Sequence, residues 1–146
     1  MDLHRHRSTT LALTWSGLLP FLLGIPGGLG MLVPWLETLL IGYALAILAF
    51  MCGTMWAESL ARPGPSTNTV LLVSNAIVLL ALVSLYLSFA AAMFWMAGLF
   101  TLHLVAEFRF IRKRQPSWYQ RMRASISIIV ILSLGSAGLL QFVTGA

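Results

Sequence analysis

Long apolar stretches, broken by short clusters of Pro, Gly and basic residues, set the pattern of this chain. The apolar positions are too continuous to mark one face of a water-soluble helix. They extend over about 9–29, 35–60, 69–106 and 124–142. Crossing some 30 Å of hydrocarbon takes roughly 20 such residues in a helix, so each stretch is long enough to span. The run over 69–106 holds no Asp, Glu, Lys or Arg. As one helix, rising about 1.5 Å per residue, it would far overshoot the bilayer. The pattern therefore predicts two helices, 68–83 and 88–108, joined by a tight turn at 84–88 (SLYLS). Five transmembrane helices result: 9–29, 35–60, 68–83, 88–108 and 124–142, in a single all-α membrane domain over 1–146.

Punctuation refines these elements. Pro20 lies within the first span and predicts a kink, since neighbouring helices in a membrane can satisfy the freed carbonyl. Pro26, Gly27, Gly28 and Gly30 predict the first turn. In the second span Gly42, Ala46, Ala49 and Gly53 recur every three or four residues. A stripe of small residues on one face lets a second helix approach closely, so these four positions are expected to pack against another helix. Trp35 and Trp56 stand at opposite ends of the same span, where interfacial aromatics belong. Glu58 and Arg62 are spaced i,i+4 at its exit and should pair. The segment 117–123 (SWYQRMR) is expected at the interface, as a lead-in to the last helix.

Composition confirms the class. Hydrophobic residues make up 59% of the chain and charged residues only 9%, against about 25% charged in soluble domains. The net charge of +5 is concentrated in a connector, 107–123, which carries Arg109, Arg112, Lys113, Arg114, Arg121 and Arg123. These act as topology anchors, held on the cytoplasmic side. With two helices over 69–106, Arg5, Arg7 and Arg62 fall on that same side. The N-terminus is then cytoplasmic and the C-terminus outside. Partners are expected among membrane lipids, a second copy of the chain or another membrane protein. Nucleic acid is not one, because the basic charges face lipid headgroups. The N-terminal segment resembles a signal peptide but lacks a small-x-small cleavage site, so it is read as a retained first helix.

Few residues offer chemistry. The single cysteine, Cys52, sits in an apolar run and excludes an intramolecular disulfide or a cysteine metal cluster. Polar groups inside spans are the functional suspects, and His103 and Glu107, i,i+4 on the fourth helix, lead them. With Glu58 and Trp56 they form the candidate polar or ligand site. A metal needs three or four ligands, and beyond Glu58 only His4 and His6 could add any, so no metal centre is expected. Glu58 and Glu107, among arginines, read as salt-bridge partners locking helix ends rather than as a catalytic pair. Glu37 reads as an exposed anchor, and Asn75 and Gln141 as interhelical hydrogen-bond formers. No nucleophile elbow, phosphate loop, HExxH or haem-binding histidine pair is present, so no catalytic residue or cofactor is assigned. Three function classes stay open: a packing or scaffold protein, an oligomeric transporter, and a binder of a hydrophobic ligand.

Three stretches taken together resemble a known family. They are Ser16-Gly17-Leu18-Leu19-Pro20-Phe21, the segment Phe50-Met51-Cys52-Gly53-Thr54-Met55-Trp56-Ala57, and Pro116-Ser117-Trp118-Tyr119 with Arg123 beyond. In order and spacing the chain is similar to the transmembrane protein 69 family. Met55 stands where that pattern has His, Ala57 where it has its last Gly, and Cys52 where it has the first of two glycines. The resemblance implies a five-helix fold in bacterial or mitochondrial inner membranes, and no established activity.

Overall fold

A computed structural model describes residues 7–31, 33–111 and 115–145, with the side chain of Arg7 left aside. His4, Arg5, His6, Arg112, Lys113 and Arg114 lie outside the described residues. Among those described, the chain is all-α without strands. Five helical segments are long and apolar enough to cross a membrane: Ser8–Gly28, Pro34–Ala61, Thr67–Tyr86, Phe89–Phe110 and Ser117–Thr144.

The first span is not one kinked helix. It is three short ones, α1 (Arg7–Ser16), α2 (Leu19–Leu22) and α3 (Gly24–Gly28). Pro20 lies in the first turn of α2, where its missing N–H is harmless. The breaks fall instead at Gly17–Leu18 and at Leu23. Pro26, Gly27 and Gly28, expected in a turn, belong to α3, and the reason is packing. A side chain on Gly28 would meet the backbone of Ala137, whose Cα lies 3.0 Å from the position of the absent Cβ. The turn comes later, at Gly30, whose φ of 68° suits glycine.

α4 (Pro34–Ala61) opens on Pro34 after an extended Val33, with Glu37 in its first turn. Pro fits the start of a helix, and an acid there favours the positive end of its dipole. It ends before Pro63, which disfavours helix in the residue preceding it. Its buried face runs through Ile41, Ala44, Leu48, Cys52, Met55 and Ser59, the three-and-four spacing of a helix on a core.

The apolar run that follows divides into two helices, as its length predicts. α5 (Thr67–Ala81) passes into a 3-10 turn, Leu82–Tyr86, and α6 (Phe89–Phe110) starts after extended Leu87 and Ser88. Indole Nε1 of Trp95 donates to the Leu80 carbonyl at 2.8 Å and ties the pair together. α6 lies at the centre, packed by α4, α5 and α7.

α7 (Ser117–Thr144) differs from expectation at its start. The segment 117–123 is its first two turns rather than a separate interfacial lead-in. Pro116 only caps it: the amides of Tyr119 and Gln120 donate to the Pro116 carbonyl at 3.1 Å. Nothing between Ser117 and Arg123 stops a helix, and Met122 and Arg123 are buried on it.

Candidate functional site

Near the basic connector, three helices turn polar groups inward. Arg123 follows Tyr119 by four residues, about one turn, along α7, and Ser127 follows it by another four, so the three share one face. Arg123 is 7% exposed and Glu107 6%. Arg123 Nε stands 2.7 Å from Glu107 Oε1, a charge contact without the alignment of a hydrogen bond. Nη1 of the same guanidinium donates to Thr54 Oγ1 of α4 at 3.1 Å and to Tyr119 Oη at 3.3 Å. Its carbon lies 5.7 Å from the centre of the Tyr119 ring, within reach of a cation–π attraction. Nη2 is buried and has no hydrogen-bond partner among the described residues.

One turn before Glu107, His103 is fully buried against α4. The Met51 carbonyl is a neighbour, but it accepts from Thr54 Oγ1 at 2.7 Å. Neither ring nitrogen of His103 makes a well-formed hydrogen bond to the described residues. Among the described residues no group of three His, Cys, Asp or Glu side chains is placed to hold a metal ion.

Two ion pairs among the described residues differ in weight. Glu58 and Arg62 meet at 3.3 Å, with the arginine side chain 63% exposed, and an i,i+4 pair of that kind contributes about 0.3–0.5 kcal/mol. Removing one partner of a buried pair costs roughly 3–5 kcal/mol, because the other charge is left uncompensated. Glu107–Arg123 is therefore the structural centre of this end of the bundle.

The remaining candidates scatter. Trp56 is 40% exposed. Arg109 and Arg121 are exposed and Arg123 is not. On the stripe of small residues, an added Cβ at Gly42 or Gly53 would meet nothing within 4 Å, and Ala46 is exposed. No helix among the described residues packs closely on Gly42 or Gly53. Asn75 bonds within its own helix, to the Leu71 carbonyl at 2.8 Å, and not across to another.

Beside the cluster lies a cavity of about 350 Å³ between α1, α4, α6 and α7. Its wall is apolar, with Leu18, Phe21, Ile47, Phe100 and Val130. The polar residues of its lining are Thr10, Thr14, Tyr119, Arg123 and Ser127. Ser127 is 1% exposed, and its Oγ has no partner among the described residues. Leu13 and Phe50, which also line the cavity, are exposed, so it opens sideways towards lipid. On its other side Arg123 borders a second cavity of about 220 Å³, with Glu107, Gln115, Gln120 and Arg121. Sequence reasoning missed Thr54, Tyr119 and Ser127. The i,i+4 series Tyr119, Arg123, Ser127 was the available signal, hidden by assigning 117–123 to the interface.

Fold and site together define a multi-pass helical membrane protein with a buried ion pair beside an intramembrane cavity. The chain belongs to the family described as protein of unknown function DUF3429, whose profile matches residues 6–139. No curated protein and no solved structure matches it.

Proposed function

We propose that this protein binds a hydrophobic molecule within the membrane, in the cavity between α1, α4, α6 and α7. The observation that carries this reading is the cavity's form: a largely apolar lining with a few polar side chains, open where Leu13 and Phe50 are exposed. Its volume of about 350 Å³ is within the range of small-molecule sites, roughly 300–1,000 Å³. The connector lies on the cytoplasmic side of a bacterial inner membrane in this proposal, supported by its basic charge and by the resemblance to the transmembrane protein 69 family. Native mass spectrometry from lipid discs tests the binding. A stoichiometric small-molecule mass is expected on the wild type and should be lost in Thr14→Trp, which fills the cavity. A bare chain in both would overturn the proposal.

A second reading has its own support. On the face of α4 bearing Gly42, Ala46, Ala49 and Gly53, no described residue lies within 4 Å of an added Cβ at Gly42 or Gly53, and Ala46 and Gly53 are exposed, which suits packing against a second copy or another membrane protein.

A further inference from the structure

We infer that the cleft between α6 and α7, at the connector end of the bundle, holds the anionic phosphodiester headgroup of a membrane lipid, with Arg121 as its cation. This cleft, of about 220 Å³, is separate from the cavity between α1, α4, α6 and α7. Among the described residues Arg123 alone borders both. The inference goes beyond the binding reading above and does not depend on it.

Chain register grades the cleft from polar to apolar. α6 runs towards the connector and α7 away from it, so Leu104 and Ala124 line the deep end, within the spans. Ser117, at the start of α7, and Gln115 before it line the connector end. Gln120 Nε2 donates to the Gln115 carbonyl and fixes the end of the connector there. Ser117 and Arg121 are four residues apart on α7, with Ala124 three further, so one face carries hydroxyl, cation and methyl in order of depth. Ser117, Arg121 and Phe108, which also lines the cleft, are exposed, so the cleft opens at the end of the two spans. An amphiphile fits this order with its head towards the connector and its tails towards the hydrocarbon. The volume is smaller than that of whole-ligand sites, as expected for a headgroup whose tails stay in the bilayer.

Charge selects the head. Glu107, Arg121 and Arg123 are the charged residues of the lining. Glu107 and Arg123, 2.7 Å apart, neutralise each other. Arg121 makes no ion pair among the described residues, which leaves the cleft a net positive charge. An arginine fork matches the geometry of a phosphate, and basic pockets between membrane helices take anionic lipid heads. The first turn of α7, whose dipole favours an anion, adds to that charge. A zwitterionic head brings a cation of its own, for which Glu107, already paired, is a poor partner.

Native mass spectrometry of the full chain in neutral-detergent micelles compares heads on identical tails, with dioleoyl phosphatidylglycerol (anionic) and dioleoyl phosphatidylcholine (zwitterionic) as titrants. The anionic lipid should bind about 3- to 10-fold tighter, the worth of one basic residue near a membrane surface. Arg121→Gln should erase that lead, and Arg121→Lys should keep part of it. Arg109, at the end of α6, is also exposed but does not line the cleft, so Arg109→Gln should leave the lead intact. Thr14→Trp, which fills the other cavity, should leave it intact too. Equal binding of the two lipids on the wild type, or binding of neither, would overturn the inference. So would equal losses in Arg109→Gln and Arg121→Gln, the mark of general surface charge, or a loss in Thr14→Trp, which would move the lipid to the other cavity. Glycerol 3-phosphate carries the phosphate without tails and should not displace the lipid. Displacement at equal concentration would assign the cleft to a soluble phosphate ester and end the lipid reading.

Discussion

Arg123 spends its donors on three helices. Nε faces Glu107 of α6, Nη1 reaches Thr54 of α4, and the ring of Tyr119 on α7 lies beside it. Arginine suits this place because its planar fork can serve several acceptors at once without losing its proton. Arg123→Ala or Glu107→Ala should lower stability in detergent by about 3–5 kcal/mol, read from equilibrium unfolding, since each leaves one buried charge alone. The paired replacement Glu107→Leu with Arg123→Met should recover most of that loss, because apolar pairs of similar volume commonly replace buried ion pairs at little cost. A double variant as unstable as the singles would mean that the pair itself, not the orphaned charge, holds this end together. Glu107 was legible in the sequence as a salt-bridge partner, being an acid at the edge of an apolar run among arginines. Its partner was not, since six basic residues of the connector had equal title to it.

At the scale of elements, close approach separates the glycines. α3 presses on α7 where Gly28 meets the Ala137 backbone, and Gly138 of α7 meets the Ala90 carbonyl of α6 at 3.1 Å from its absent Cβ. Gly53 of α4 has open space. Gly28→Ala should therefore cost about 1–3 kcal/mol, as overpacking does. Gly53→Ala should be neutral or stabilise by up to about 1 kcal/mol through backbone entropy. Thermal unfolding of the two variants in the same detergent would show whether their signs differ. The sequence marked Gly28 as a turn residue because Pro and Gly surround it. Only a neighbouring backbone explains why a helix needs glycine there, and that neighbour lies far away in the chain. The division of 69–106, by contrast, was legible from length and charge alone.

For the whole molecule, the proposed orientation rests on the distribution of basic charge, and among the described residues nothing lies within 4 Å of an added Cβ at Gly42 or Gly53 of α4. Changing Arg112, Lys113 and Arg114 to Glu should disturb insertion, seen as a compartment-sensitive reporter after Ala146 moving from the external to the cytoplasmic side. A reporter that stayed external would count against the connector as anchor. Gly53→Leu should leave monomer stability within about 0.5 kcal/mol, as at an uncoupled surface site, and lower the oligomer fraction in native mass spectra. An unchanged fraction would remove this face from any assembly.

The sequence by itself determined the membrane class, the number of helices and the position of the difficult turn. These depend on how many apolar residues follow one another and where charges interrupt them, which are properties of local segments. The tertiary structure alone decided which of the connector's cations goes inside, why Gly28 cannot carry a side chain, and where a cavity forms. Those depend on distances between α1, α4, α6 and α7, and such distances arise only when side chains far apart in the chain compete for the same space. Arg123 shows the division clearly: its charge was evident from the first reading, but its burial depends on Glu107, Thr54 and Tyr119 meeting it from three helices.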